Sequence, residues 1–362
     1  MRLLIDGATV WDGTGAAAFP GKVLIENERI AAVAPQAETL ACDGAERLEA
    51  AGKFLMPGLV EGHSHLSFVD VARGTALGEL APEEHTLLAM NAARQLLGAG
   101  FTSACSAAAA KIRIDVAIRD AIEDGLIDGP RLLAAGPELT VTGGLGDGRK
   151  LHLPLQSFGM PVDGAEEMLR AVRLCLREGV DIIYHCDFAD EEALDLLESV
   201  RDRVFTGPAI GLVIARLEAL RGDNSRSGRL AYDRFERLYD ASCRTHREMK
   251  KRGIRIVVGG DYGFAANPQG TNARDLEHFV KHFGFSASEA LQAATRTGGE
   301  IMRLGHELGQ IKAGYLADLL LVDGDPLSDV RVLQDRARLD FVMKAGVRYR
   351  PCQGVPHVRR LH

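Results

Sequence analysis

The sequence lacks several features that would each assign it to a class of protein. It has one tryptophan, Trp11, and only 6% aromatic residues, so no tryptophan platform marks a ligand pocket. It has no run of 18 or more apolar residues, the signature of a membrane-spanning helix, and its amino terminus lacks the apolar core of a signal peptide. A net charge of −7 leaves no basic excess to attract nucleic acid. We therefore expect a protein that binds neither nucleic acid nor a membrane.

The cysteine pattern also argues against a disulfide-rich protein. The six cysteines are far apart and form no Cys-x-x-Cys pair. In a chain of 362 residues this pattern is typical of reduced, mostly buried thiols, so we expect a cytoplasmic protein without a disulfide framework. The 46% of apolar residues can fill one large domain with a small one beside it.

The two ends of the chain differ from its middle in the pattern of their apolar residues. Short apolar stretches separated by turn residues predict small antiparallel strands. They occur at Leu3–Ile5, Lys22–Glu26, Ile30–Val33, Arg47–Glu49, Ala317–Val322 and Asp340–Lys344. We expect residues 1–55 and 307–362 to form the two parts of one β-sandwich.

Between these ends, residues 56–306 alternate apolar runs with helical patterns, which is typical of βα units around a parallel sheet. Strands are predicted at Leu55–Glu61, Phe101–Ser106, Arg131–Ala135, Val180–His185, Val204–Ile210 and Ile254–Gly260. Helices are predicted at Ile114–Asp124, Ala165–Arg177, Glu191–Val200, Tyr232–Arg252 and Ala287–Thr295. The pattern predicts an α/β, TIM-like (β/α) barrel that lacks about two of its eight βα units.

Three strand ends carry residues that bind metals. His63 and His65 are two residues apart and point to the same face of the first strand. His185 ends another strand, and Asp261 follows Gly259 on the same face of the last one, where glycine is expected to leave room for a ligand or a metal. The carboxyl ends of parallel strands meet at the catalytic face of a barrel. We therefore predict a site for Zn²⁺ or a similar divalent cation, with Asp261 also acting as the general base on water.

Other polar residues on this face are weaker candidates. The glycine-rich loop at Thr142 lacks the lysine and the helix of a phosphate-binding loop, so we interpret it as a substrate-side loop. Thr142, His152 and Tyr184 are candidate substrate contacts. Lys111 follows the second strand and is expected to be a solvated lysine rather than a metal ligand.

The motifs along the chain resemble the amidohydrolase superfamily, in particular its imidazolonepropionase-like and prolidase-like members. They are Met56–His65, Gly129–Arg131 with the Thr142–Gly144 loop, Gly259–Asp261, Leu308–Ile311 with Gly314, and Ala317–Leu319 through Asp323–Pro326. The resemblance implies a (β/α) barrel with a split β-sandwich, one or two divalent metals, and hydrolysis of an amide or a cyclic amide. It matches His63 and His65 to ligands from the first strand, His185 to the sixth-strand histidine, and Asp261 to the eighth-strand aspartate.

The chain departs from the family pattern in one respect. The carboxylated lysine after strand four and the histidine after strand five have no counterpart, because the helix at 165–178 runs directly into the strand that ends at His185. Roughly two βα units, on the order of 60 residues, are missing. We expect one metal ion rather than two if this is a true deletion, whereas residues omitted from the chain would give the same appearance.

Three functions stay open. The first is a metallohydrolase acting on a C–N bond of a small molecule, with N-acyl amino acids, dipeptides or cyclic amides as candidate substrates. The second is a catalytically silent remnant that binds metal or ligand. The third is hydrolysis of an ester, a lactone or an organophosphate by the same chemistry. The unmatched sheet edges left by missing strands, together with the resemblance, lead us to expect a homo-oligomer.

Overall fold

The structure is a computed structural model that describes residues 2–144, 146–147, 149, 158–177, 189–199, 201–202 and 204–349. In these ranges the strands are β1 (Arg2–Val10), β2 (Phe19–Glu26), β3 (Arg29–Pro35), β4 (Glu46–Glu49), β5 (Phe54–Pro57), β6 (Leu59–Ser64), β7 (Phe101–Ser106), β8 (Arg131–Leu133), β9 (Leu139–Thr140), β10 (Met160–Pro161), β11 (Leu319–Val322), β12 (Leu339–Lys344) and β13 (Val347–Tyr349). The helices are α1 (Ala76–Glu79), α2 (Pro82–Gly98), α3 (Ile114–Glu123), α4 (Ala165–Arg177), α5 (Glu191–Ser199), α6 (Ile210–Leu220), α7 (Arg226–Lys251), α8 (Arg274–Phe283), α9 (Ala287–Ala294) and α10 (Arg296–Ile301). Short 3₁₀ turns lie at Leu66–Phe68, Val330–Gln334 and Arg336–Arg338.

Both ends of the chain contribute to one eight-stranded sheet. Its order is β13-β12-β11-β5-β1-β2-β3, with β4 paired to β1 beside this path. Strands lie at all six positions that the sequence predicts for the chain ends. Their buried faces form a separate apolar cluster that includes Leu3, Ile5, Val23, Leu319 and Met343.

The predicted strand Leu55–Glu61 is divided between two sheets. Its first half, β5, pairs with β11 of the end sheet, and its second half, β6, pairs with β7 of the parallel sheet. The change occurs at Gly58, whose N–H donates to the carbonyl of Asp318 at 2.9 Å. A side chain at this position would overlap Thr102, because a Cβ would lie 2.4 Å from its Oγ1. The glycine therefore lets the chain pass between the two sheets.

The parallel sheet continues on both sides of β6. On one side lie β7 and then β8. On the other side, the N–H of Gly62 donates to the carbonyl of Val258 at 2.6 Å, and the segment around Ile256 forms a parallel bridge with Thr206. These segments bring the carboxyl ends of β6 and of residues 254–260 side by side.

Two of the predicted barrel strands are wrong in extent. Residues 204–210 and 254–260 form one bridge between Thr206 and Ile256 instead of full strands, and Ile210 already begins α6. The next bond of this parallel ladder would need a donor two residues after Thr206. Pro208 occupies that position and has no N–H, so the ladder stops there. The predicted strand Val180–His185 lies outside the described residues.

The five predicted helices are present as α3, α4, α5, α7 and α9, with shifts at some of their ends, whereas α1, α2, α6, α8 and α10 were not predicted. Helix α4 has the predicted limits, and α9 begins with a capping box, in which Ser286 and Glu289 exchange side-chain-to-backbone hydrogen bonds. Helix α7 begins six residues earlier than predicted, because the hydroxyl of Ser225 caps it by accepting from the N–H of Gly228 at 2.9 Å.

The described residues also bear on the predictions about thiols and membranes. Within them, Cys42, Cys105 and Cys243 are free thiols, and the last two are buried. No helix of the described ranges is both long enough and apolar enough to cross a bilayer.

Candidate metal centre

Three of the four predicted metal ligands meet in one buried cluster. His63 is the second-last residue of β6, His65 directly follows the strand, and Asp261 follows the neighbouring segment 254–260. One ligand atom from each of the three lies within 4.8 Å of the others, and Nε2 of His65 is 3.0 Å from Oδ1 of Asp261. The fourth predicted ligand, His185, lies outside the described residues.

Hydrogen bonds orient both imidazole rings. Nδ1 of His63 lies 3.2 Å from the carbonyl oxygen of Pro208, and Nδ1 of His65 lies 2.9 Å from that of Ala108. A carbonyl oxygen only accepts, so each Nδ1 must carry the proton and donate it. In each neutral ring Nε2 is then the basic nitrogen, which is the arrangement that metal-binding histidines adopt.

The donor set fits a divalent cation such as zinc. Two ligand atoms that are each about 2.1 Å from one zinc ion lie about 3 to 3.5 Å apart at bond angles near 90 to 110 degrees. The 3.0 Å between Nε2 of His65 and Oδ1 of Asp261 falls in this range. Two imidazoles and a carboxylate are borderline-hard ligands, which suit zinc and its neighbours.

His65 holds a proton strongly when no cation competes for it. Burial favours the neutral ring, but the nearby Asp261 carboxylate and the bond to the Ala108 carbonyl outweigh it, so the pKa of His65 lies above its usual value. The ring also stacks on Phe68 at 4.2 Å between centroids, which limits its rotation.

Gly259 has a different role from the predicted one. A Cβ at this position would lie 2.4 Å from the Cβ of His63 and 2.6 Å from its backbone nitrogen. The space beside Gly259 is therefore filled by the backbone of β6, and the prediction that it holds a ligand is wrong. The missing side chain lets residues 254–260 approach β6 closely enough for Asp261 to reach His65.

The backbone at Asp261 is itself unusual. Its φ of +58° is in the left-handed region, which aspartate tolerates better than most residues. The side chain of Asn267 donates to the carbonyls of Gly260 and Asp261 at 2.8 and 3.2 Å, which holds this turn. Such conformations cost about 1 to 3 kcal/mol and concentrate at functional sites.

A Gly259→Ala substitution tests the close approach of these two segments. We expect it to destabilise the fold by about 3 kcal/mol and to reduce the bound metal, because its Cβ meets immovable backbone. Gly125→Ala is the control, since that site is open but has a φ of +71°. It should cost only about 1 to 2 kcal/mol of backbone strain and retain the metal. Urea unfolding and metal analysis measure both effects; equal losses in the two variants would contradict this account.

A buried carboxyl group lies behind the two histidines. Oε1 of Glu61 accepts from the backbone N–H of His63 at 3.2 Å, and Oε2 accepts from Nδ2 of Asn272 at 2.9 Å. Burial, reinforced by the charge of Asp275, raises the pKa of Glu61 to about 8. Glu61 is therefore mostly protonated at neutral pH and holds the backbone of His63 in place without adding a charge.

The sequence did not identify Glu61, Asn267 or Asn272 as site residues. For Glu61 a signal existed, because the alternation that puts His63 and His65 on one face of the strand puts Glu61 there too. The two asparagines have no local signal, since their partners are set by tertiary contacts.

Of the three predicted substrate-binding residues, only Thr142 lies in the described part of the chain. Thr142 is exposed, and its backbone N–H donates to Asp163 at 2.9 Å. His152 and Tyr184 lie outside the described residues. The expectation of a solvated Lys111 is wrong: it is half-buried, its Nζ donates to the carbonyl of Leu77 at 2.9 Å, and burial lowers its pKa.

The chain is similar to known proteins in both sequence and structure. A sequence profile described as the amidohydrolase family matches residues 54–348. An ochratoxinase of Aspergillus niger is 24% identical, covering 81% of this chain and 75% of the relative. An imidazolonepropionase of Acidiphilium cryptum is 26% identical, covering 90% of this chain and 93% of the relative. The structure of a Xaa-Pro dipeptidase with methionine bound in its active site has a TM-score of 0.82 at 23% identity, covering 97% of this chain and 100% of the other. The chain therefore shares the fold of that dipeptidase structure, a TIM-like α/β fold.

Proposed function

The chain belongs to the amidohydrolase family, and on that premise we propose that it is a metal-dependent hydrolase that cleaves an amide or cyclic amide C–N bond of a small molecule. The observation that carries the proposal is the buried cluster of His63, His65 and Asp261 at the ends of adjacent segments. The similar proteins named above include an imidazolonepropionase and a Xaa-Pro dipeptidase. Both names describe enzymes that act on C–N bonds.

Each residue of the cluster has its own role in the proposed reaction. His63 and His65 would hold a divalent cation through Nε2, with His185 proposed as a further ligand. When bound, such a cation polarises the scissile carbonyl and lowers the pKa of coordinated water to about 7. Asp261 takes the proton from the attacking water and delivers it to the leaving nitrogen. Glu61 keeps the backbone of His63 fixed during these steps.

We further propose that two βα units are absent from this chain and that the site therefore holds one cation. The alignment with the Aspergillus niger ochratoxinase runs over 375 positions but includes only 81% of the 362 residues of this chain. The relative therefore has residues that this chain lacks. The lysine after strand four and the histidine after strand five belong to the units that we propose are absent. The junction, residues 178–180, lies outside the described residues.

Metal removal tests the proposed activity. We expect the purified protein to contain about one divalent ion per chain and to hydrolyse members of a panel of N-acyl amino acids, dipeptides and cyclic amides. Treatment with a chelator should abolish turnover, and added zinc or manganese should restore it.

The same panel separates the alternatives when it includes matched esters, lactones and organophosphates. Faster turnover of these substrates than of the amides would indicate the oxygen-ester activity. Stoichiometric metal without turnover of any substrate, not rescued by added metal, would refute the proposal and indicate a silent remnant.

A further inference from the structure

A group of buried polar side chains beside the Asp261 turn has no part in the proposed reaction. Its members are Tyr262, Asp275 and His278. The hydroxyl of Tyr262 and Nδ1 of His278 both donate to Oδ1 of Asp275, each at 3.0 Å. Asp275 lies in the first turn of α8, and Tyr262 directly follows Asp261 in the chain. The segment that carries the proposed base is therefore tied to the amino terminus of α8.

Two glycines make room for the Asp275 carboxylate. A Cβ at Gly260 would overlap Oδ2 of Asp275, and a Cβ at Gly211 would lie 2.8 Å from Oδ1. Gly260 directly precedes Asp261, and Gly211 lies in the first turn of α6. The carboxylate is therefore packed against the backbone of the segment that carries Asp261, on the side of that segment where α6 and α8 meet it.

Stability alone does not account for an aspartate at this position. Among the residues that the structure describes, no group donates a hydrogen bond to the buried Oδ2 of Asp275. A buried carboxyl oxygen without a donor loses the hydration that it has in the unfolded chain, and this loss destabilises the fold. Unsatisfied polar atoms are few in folded proteins, and each one calls for an explanation. The contact that Oδ1 makes with Tyr262, next to the proposed base, provides one.

The turn that Tyr262 anchors needs support, because the left-handed φ of Asp261 persists only where the surrounding structure imposes it. Asn267 binds the carbonyls on either side of this residue's N–H, as described above. Nε2 of Gln269 donates to the carbonyls of Tyr262 and His65, at 3.1 Å in each case. These bonds hold the backbone, and the bond from Tyr262 to Asp275 holds the side chain that follows Asp261. Loss of this anchor allows the turn to relax, and the Asp261 carboxylate moves with it.

We propose that Asp275 is a positioning residue that acts through Tyr262 to hold the Asp261 carboxylate at the cation site. Neither Asp275 nor Tyr262 touches the substrate or the cation in this account. The kinetic consequence rests on the proposed amide hydrolysis, whereas the consequence for metal binding needs no substrate. What matters at Asp275 is the acceptor oxygen Oδ1 rather than the negative charge, because a hydroxyl group donates to it.

Removal of either partner of this hydrogen bond tests the proposal. Tyr262→Phe and Asp275→Ala should each weaken zinc binding and lower kcat by about 10- to 100-fold, the usual cost of losing a group that orients a metal ligand. KM should change by less than about twofold, because the contacts with the substrate remain. The double variant should lose no more than either single variant, because both changes remove the same bond. Asp275→Asn keeps an acceptor oxygen and should recover most of the zinc affinity and of kcat.

Calorimetric zinc titrations of the full chain and steady-state kinetics measure these effects, and thermal unfolding in the presence of a chelator reports the stability of each variant. The control is Tyr232→Phe, which removes a hydroxyl from α7, outside this group, and should leave zinc affinity and kcat unchanged. A role in stability alone predicts that folded Tyr262→Phe has native zinc affinity and native kcat. That result, or losses that add in the double variant, would overturn the proposal.

The two readouts distinguish failure of this inference from failure of the proposed function. If the native chain hydrolyses no amide, but zinc binding weakens in both single variants without a further loss in the double variant, the positioning role stands and the proposed function is refuted. If the native chain hydrolyses amides and Tyr262→Phe retains its zinc affinity and kcat, the positioning role alone is refuted.

Discussion

Replacement of His65 by alanine is expected to remove the bound cation and to abolish amide hydrolysis. His65 is the ring whose Nε2 faces Asp261 at 3.0 Å while its Nδ1 is held by the carbonyl of Ala108. Without it, the cluster retains one described imidazole and one carboxylate, too few donors for a tight zinc site. Because the cation supplies several kcal/mol of transition-state stabilisation, kcat/KM should fall by a factor on the order of 10³ or more.

Metal analysis after dialysis and steady-state kinetics measure this result together. His306→Ala is the matched control, because His306 is exposed and lies outside the cluster, so its removal should leave both metal content and rate unchanged. Thermal unfolding in the presence of a chelator shows whether His65→Ala still folds. Turnover retained in a folded, metal-depleted His65→Ala protein would rule out the site assignment.

The proximity of His63, His65 and Asp261 could be predicted because its physical basis is local. Strand alternation puts His63 and His65 on one face, and parallel strands put their carboxyl ends at one edge, where Asp261 joins them. Both rules depend only on sequence spacing. The closeness of Asp261 to His65 also requires that Gly259 have no side chain, and the sequence suggested the wrong reason for that glycine.

The strand ends were harder to predict than the strands. An apolar run indicates burial, but hydrogen bonds to a neighbouring segment decide whether it forms a ladder. At residues 204–210 the run is apolar, yet Pro208 removes the donor that the ladder needs after Thr206. The run Leu55–Glu61 contains two strands because Gly58 carries the chain from one sheet to another.

Helix α2 was not predicted, although its sequence carries a signal for a helix amino terminus. Pro82 stands at its first turn with Glu83 and Glu84 beside it, a combination that favours a helix amino terminus. The buried side of this helix includes three alanines, a glycine and a histidine beside only two leucines, which weakens the apolar periodicity on which the prediction depended. The half-buried state of Lys111 had no such signal, because Leu77, whose carbonyl binds its Nζ, is 34 residues away in the chain.

Replacement of Asp261 by asparagine is expected to separate catalysis from metal binding. Asparagine keeps the size of the side chain but cannot take a proton from water, so kcat should fall about 10² to 10⁴-fold, the usual contribution of a general base. The two imidazoles remain, so we expect the cation to bind more weakly but still at millimolar zinc. Asp124→Asn, at an exposed position after α3, controls for the charge change and should keep the full rate.

The pH dependence of metal binding provides a second readout for the same variant. Cation binding requires the neutral form of His65, so a bound proton competes with the metal. In the native chain Asp261 holds the pKa of His65 above its usual value, so the proton competes up to a higher pH and affinity should rise as the pH increases through that pKa. Asp261→Asn removes the charge that raises the pKa, and the same rise in affinity should then occur at lower pH. Zinc titrations followed by calorimetry between pH 5 and about 8, the range in which histidine titrates, measure the displacement. An unchanged pH dependence in Asp261→Asn would mean that the carboxylate does not act on His65, and its role as the base beside the metal would have to be given up.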